Sequence, residues 1–82
     1  MAWTVYLLRC RDGSLYTGIT SDLGRRLARH RAGTASAYTR SRLPVRLVYQ
    51  EPQPTRSAAL KREAELRRLP RTRKLALVRR VR

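Results

Sequence analysis

The chain has 82 residues and a formal net charge of +15, from twenty Lys and Arg against five Asp and Glu. A chain this short forms one small domain, hiding only roughly 60% of the surface its unfolded form exposes. One cysteine excludes a disulfide framework and a zinc ribbon, one histidine excludes a histidine metal cluster, and no apolar run reaches the length of a leader or membrane span.

Trp3 to Leu8 is rich in β-branched and aromatic residues and reads as a strand, as does Leu15 to Thr20. Asp12-Gly13 between them is a hairpin signal. Residues 21–32 read as a helix, with Ser21 as its N-cap, Asp22 favouring the positive end of its dipole and Gly33 as its stop. Residues 33–43 show no period and read as a loop. Residues 45–51 read as a third strand, entered through Pro44 and ended by Pro52 and Pro54. Thr55 or Ser57 caps a helix to about Leu69. Pro70 interrupts the pattern, and residues 71–80 form a last helix with Leu75, Val78 and Val81 on one side. The order is β-β-α-β-α-α, with no internal repeat.

The hairpin decides whether the chain has a site. A two-residue loop would put Tyr6 and Tyr16 on opposite faces of the sheet. A three-residue loop, Arg11-Asp12-Gly13 with Gly13 in the left-handed region, pairs Cys10 with Ser14. Tyr6 then lies opposite Gly18, Leu8 opposite Tyr16, and both tyrosines share one face. Gly18 would leave room beside the Tyr6 ring for a phosphate. The alternative is two core tyrosines with their hydroxyls at the edge.

At about 100° per residue, Leu23, Leu27 and His30 form one stripe of the first helix. Arg26 lies on its edge, while Arg25 and Arg29 point to solvent. A charge beside an apolar stripe needs an anion or an ion-pair partner, so Arg26 either enters a site or closes an ion pair. His30 is its neighbour on the helix surface, or a core-edge histidine bonded to backbone. On the second helix Ala59, Leu60, Ala64 and Leu66 mark an apolar arc, with Glu63 near its middle. Glu63 either serves as a hard oxygen ligand or pairs with Arg67 four residues on. The surplus of arginine suits phosphate contacts, although a GC-rich genome enriches arginine too.

Thr4-Val5-Tyr6, Tyr16-Thr17-Gly18, Arg26, His30 and a glutamate on a later helix, in this order and spacing, resemble the GIY-YIG nuclease domain, above all its stand-alone, single-domain bacterial members. The resemblance covers residues 1–82 as one domain. It implies an α/β (α+β) fold, a three-stranded antiparallel sheet flanked by helices. It also implies phosphodiester hydrolysis in nucleic acid, DNA before RNA, with one divalent ion, Mg²⁺ or Mn²⁺. By position, Tyr6, Tyr16, Arg26 and His30 carry catalysis and Glu63 holds the metal. Gly18, Tyr38, Arg40 and Arg42 meet the substrate, with the Tyr38 ring stacking on a base. Arg71, Arg73, Arg79, Arg80 and Arg82 extend the basic surface, and Trp3 and Tyr49 serve packing. Thr4 stands where the first motif has glycine, and the chain has no Asn where many members carry one after the metal glutamate. The implied setting is cytoplasmic, with branched or damaged DNA as substrate, no membrane partner and no protein partner named by the sequence. A binding module on the same fold without catalysis is the other function class.

Overall fold

A computed structural model describes residues 2–80. Val81, Arg82 and the side chain of Arg80, which the sequence assigns to the last helix and the basic tail, lie outside the described part. The elements run β1 (Trp3–Arg9), β2 (Leu15–Thr20), α1 (Leu23–Arg31), α2 (Ala37–Arg40), β3 (Arg46–Gln53), α3 (Arg56–Arg68) and α4 (Arg71–Arg80). The order expected for the three strands and three longer helices holds. The segment expected as a loop contains one extra turn, α2, capped by Ser36, whose side chain accepts from the Thr39 amide.

All strands are antiparallel, in the order β2-β1-β3. Tyr6 pairs with Gly18 and Leu8 with Tyr16, the register that a three-residue hairpin loop requires. The Cys10 amide donates to the Ser14 carbonyl, and Gly13, at φ 84°, closes the loop by donating to the Cys10 carbonyl. An L side chain rarely adopts that φ, which is why glycine stands there. The Asp12 carboxylate takes the Ser14 amide at 3.0 Å and hydroxyl at 2.6 Å, and Arg42 at 3.1 Å.

Alternation along the strands creates two cores. Tyr6, Leu8, Cys10 and Val45 pack with Tyr16, Leu23, Leu27, Leu43 and Leu47 on the face covered by α1. Val5, Ala59 and Leu66 pack with Trp3, Ile19, Tyr49, Leu69 and Leu77 on the face covered by α3 and α4. Leu77 is therefore an inward residue that the expected Leu75–Val78–Val81 stripe omits, and Leu60 of the expected α3 arc is exposed.

Two boundaries differ from expectation, and a third is decided between two candidates. Asp22, not Ser21, caps α1 by accepting from the Arg25 amide at 3.1 Å. Thr55, of the two candidates, caps α3 by accepting from the Ala58 amide at 3.1 Å. β3 runs through Pro52 to Gln53 because it is an edge strand, where a missing amide proton costs no ladder bond on the open side. A bulge at Val48 keeps Leu47 opposite Leu8 and Tyr49 opposite Leu7. Glu51 on this strand gathers Tyr49, Gln53 and Arg62 in one hydrogen-bonded network that ties β3 to α3.

Candidate active site

The hairpin register, the α1 stripe and the α2 turn converge on the first face of the sheet. The Tyr6 ring lies across Gly18, where an added Cβ would stand 2.5 Å from both its Cζ and its hydroxyl oxygen. The space that Gly18 provides is therefore filled by the Tyr6 ring, not left open for a phosphate as the sequence suggests. Tyr16 lies beside it, 6.5 Å between ring centroids. Fully buried His30 packs edge-on against both rings, at 5.8 Å from Tyr6 and 5.3 Å from Tyr16.

Two side chains hold the His30 ring, and no backbone group among the described residues does. Its Nε2 is 2.8 Å from the Tyr6 hydroxyl, and its Nδ1 is 2.9 Å from the hydroxyl of Thr39, which is also fully buried. Burial, reinforced by Tyr16, pushes the Tyr6 phenol well above its ordinary range, and this outweighs the opposing pull of Arg26. The charge of Arg26 by itself therefore leaves the phenol raised in the free protein. Burial and the charges of Arg26 and Arg29 push His30 below its ordinary value. Tyr6 therefore keeps its proton at neutral pH and His30 is uncharged, so the two share one hydrogen bond between neutral groups.

Arg26 is half-buried, and among the described residues it has no ion-pair partner. It lines a cleft of about 240 Å³ with Thr20, Ser21, Asp22, Arg25 and Arg29. Arg25 and Arg29 are exposed as expected, yet they border the same cleft as Arg26. A second cleft, of about 350 Å³, lies beyond Tyr16 and is lined by Leu15, Tyr16, Thr17, Tyr38, Arg67 and Lys74.

The middle segment departs from the expected substrate grip. Tyr38 stacks on Tyr16 at 5.8 Å, and the Arg42 guanidinium lies 3.9 Å from the centre of its ring. Arg42 also binds Asp12, the Tyr38 carbonyl at 2.9 Å and the Ser41 hydroxyl at 3.1 Å. Arg42 thus fastens α2 to the hairpin, and the Tyr38 ring is engaged by neighbours in place of a base. Arg40 is exposed.

Glu63 sits on α3, whose apolar side packs on the second face of the sheet. Its side chain is 16% exposed and meets Arg67 at 3.2 Å, so of its two alternatives the ion pair is the one formed here. Arg67 also donates to the Thr17 carbonyl at 3.4 Å. Mg²⁺ takes one or two carboxylates and keeps several waters, so a single carboxylate is a fitting donor once Arg67 swings aside. The arginine is 59% exposed, and an i,i+4 pair of this kind is worth only about 0.3–0.5 kcal/mol. No group of three His, Cys, Asp or Glu side chains gathers among the described residues, so a metal here would rest on Glu63.

Sequence reasoning missed Thr39 and Ser36. The one local signal for α2 was Ser36, a residue type that favours helix N-caps, and it does not point to Thr39.

The sheet order, the shared tyrosine face and the buried histidine define a class, and the comparisons agree with it. The sequence model of the GIY-YIG catalytic domain matches residues 2–76, and the chain belongs to this family. Its relatives within the family are bacterial UPF0213 proteins. One from Xanthomonas axonopodis pv. citri is 51% identical over 74 residues, covering 90% of this chain and 72% of that one. One from Streptococcus sanguinis is 50% identical over 74 residues, covering 90% and 85%. The solution NMR structure of a UPF0213 protein from Bacillus halodurans is similar at a TM-score of 0.63 and 42% identity, over 99% of this chain and 86% of that one. That of an E. faecalis protein also superposes at 0.63, with 41% identity over 90% and 79%.

Proposed function

We propose that the chain is a metal-dependent endonuclease that hydrolyses phosphodiester bonds in DNA, with branched or damaged DNA of repair or recombination as substrate and the cytoplasm as its setting. The observation that carries the reading is the buried Tyr6 hydroxyl 2.8 Å from Nε2 of buried His30, near Arg26, which has no ion-pair partner among the described residues.

In this reading the scissile phosphate docks against Arg26. The Tyr6 hydroxyl is buried in the free protein, so in this reading the docked substrate brings the attacking water to it. Tyr6 takes a proton from that water as it passes its own proton to His30 Nε2, and no free phenolate has to exist beforehand. His30 suits this role because it is neutral at rest. Arg26 stabilises the charge that grows on the phosphate oxygens. Tyr16, packed on both Tyr6 and His30, keeps the two rings in place. Glu63 would hold Mg²⁺ or Mn²⁺, which when bound supplies positive charge to the phosphate and the leaving oxygen. By the family resemblance, the products carry a 5′-phosphate and a 3′-hydroxyl. The clefts beside Arg26 and Tyr16 offer cations for neighbouring phosphates from Arg25, Arg29, Arg67 and Lys74.

The Glu63–Arg67 ion pair favours a second reading, a DNA-binding module without catalysis. Incubation with plasmid, branched DNA and single strands, with Mg²⁺ or with chelator, separates the two. The nuclease reading expects metal-dependent nicks that Glu63→Ala abolishes while DNA binding persists. Binding with no cleavage of any of these substrates would favour the module.

A further inference from the structure

We infer that Thr39 is a positioning residue that holds His30 in the Nδ1–H tautomer and so keeps the Nε2 lone pair aimed at the Tyr6 hydroxyl. The inference rests on the nuclease reading only for its kinetic consequence.

The hydrogen-bond count around the ring leads to this assignment. His30, Tyr6 and Thr39 are all buried, so each hydroxyl or ring proton needs an acceptor within the protein. Suppose Nε2 carried the ring proton. It would donate to the Tyr6 oxygen, and the phenol's own proton would then have no acceptor among the described residues. In the other tautomer every proton is placed. Tyr6 donates to Nε2, and Nδ1–H donates to the Thr39 hydroxyl oxygen at 2.9 Å. The Thr39 proton then goes to Ser36, whose hydroxyl is 2.9 Å away and whose carbonyl is 3.4 Å away. Ser36 is itself fixed, since its hydroxyl oxygen accepts the Thr39 amide at 3.1 Å as the cap of α2. The short helix thus exists in the right place to hold one hydroxyl against the ring.

The choice of a hydroxyl also has a consequence. A carboxylate in its place would stabilise the imidazolium and raise the resting charge on His30. A neutral hydroxyl orients the ring and leaves it uncharged beside Arg26 and Arg29. After His30 takes the Tyr6 proton, Nδ1–H still has its acceptor, so the imidazolium is not left with an unpaired buried proton.

The test is ¹⁵N NMR of His30, the chain's one histidine, near pH 7.5 without DNA or metal. The wild type is expected to show the Nδ1–H tautomer as the major form. Thr39→Val keeps the side-chain shape and removes the acceptor. It is expected to shift the population to Nε2–H and to lower the cleavage rate about 10- to 100-fold, by analogy with the loss when a partner that orients a metal-bound histidine is removed. Thr39→Ser is expected to restore both. A wild type that is mainly Nε2–H overturns the inference, and this measurement needs no variant to fold. A folded Thr39→Val variant with an unchanged tautomer overturns it too. If the tautomer shifts as expected while wild-type protein cuts no DNA, the positioning role stands and the nuclease reading falls.

Discussion

Gly18 and His30 each hold the site together through one property. At Gly18 the property is a missing atom. Any Cβ would overlap the Tyr6 ring, which is buried and cannot swing out cheaply. Gly18→Ala should cost about 1–3 kcal/mol, the usual range for overpacking a core. Urea unfolding would measure it, and an unchanged midpoint would mean that the ring has another place to go. At His30 the property is a missing charge. In the unfolded chain the imidazole gains a proton near its ordinary value of 6.5, while in the folded chain it resists protonation. The unfolded state then binds more protons, so stability rises with pH through this window and falls as pH drops below about 6.5. Unfolding midpoints between pH 7.5 and 5 should decline for the wild type and stay flatter for His30→Gln. Identical slopes would mean that the folded protein accommodates the imidazolium. The place of both residues beside the tyrosines was legible beforehand, because the hairpin register sets Gly18 opposite Tyr6 and the helix stripe turns His30 inward. The state of Tyr6 was not, because the spacing reveals a nearby Arg26 but not the extent of burial that outweighs it.

Elements of this fold are placed by short signals at their ends. Thr55 caps α3 and Ser57 does not, so Thr55→Ala should cost roughly 0.5–2 kcal/mol and Ser57→Ala close to nothing. Thermal unfolding of the two variants decides it, and equal losses would move the cap. The sequence could not choose between these positions, since both are hydroxyl residues one step apart from the helix start. It was a better guide at the hairpin, where only a three-residue loop brings both tyrosines to one face, and Gly13 takes the left-handed conformation that loop needs. Gly13→Ala should therefore cost about 1–2 kcal/mol through its backbone alone, because the nearest atom to the added carbon would be 3.8 Å away. α2 escaped notice for a physical reason. Four residues make barely one turn and show no hydrophobic period, and Thr39 acquires its importance only when that turn brings it against His30. Pro52 misled in the other direction, since a proline that looks like a strand end is admissible at an open sheet edge.

Across the whole molecule the charge is far larger than the protein's own ion pairs can absorb. Five acidic residues face twenty basic ones, and among the described residues four ion-pair contacts involve three arginines, Arg42, Arg62 and Arg67. No helix among the described residues is long and apolar enough to cross a membrane. DNA binding should therefore be strong at low salt and fall steeply as salt rises, by about 10³–10⁵ between 50 and 200 mM if roughly 6–10 phosphates are contacted. Within this excess, Arg26 stands apart through its neighbours and not through its charge. Arg26→Ala should leave most of the affinity in place, lowering the salt slope by about one counterion, while slowing cleavage about 10²–10³-fold. A suitable control is an exposed arginine that lines neither cleft, such as Arg56, which lies near the Trp3 ring. Arg25 does not serve, because it borders the same cleft as Arg26. Arg56→Ala should match Arg26→Ala in its modest effect on binding and leave the rate of cleavage unchanged. Equal losses of rate in the two variants would mean that the arginines act as bulk charge, and Arg26 would have no separate part in the reaction.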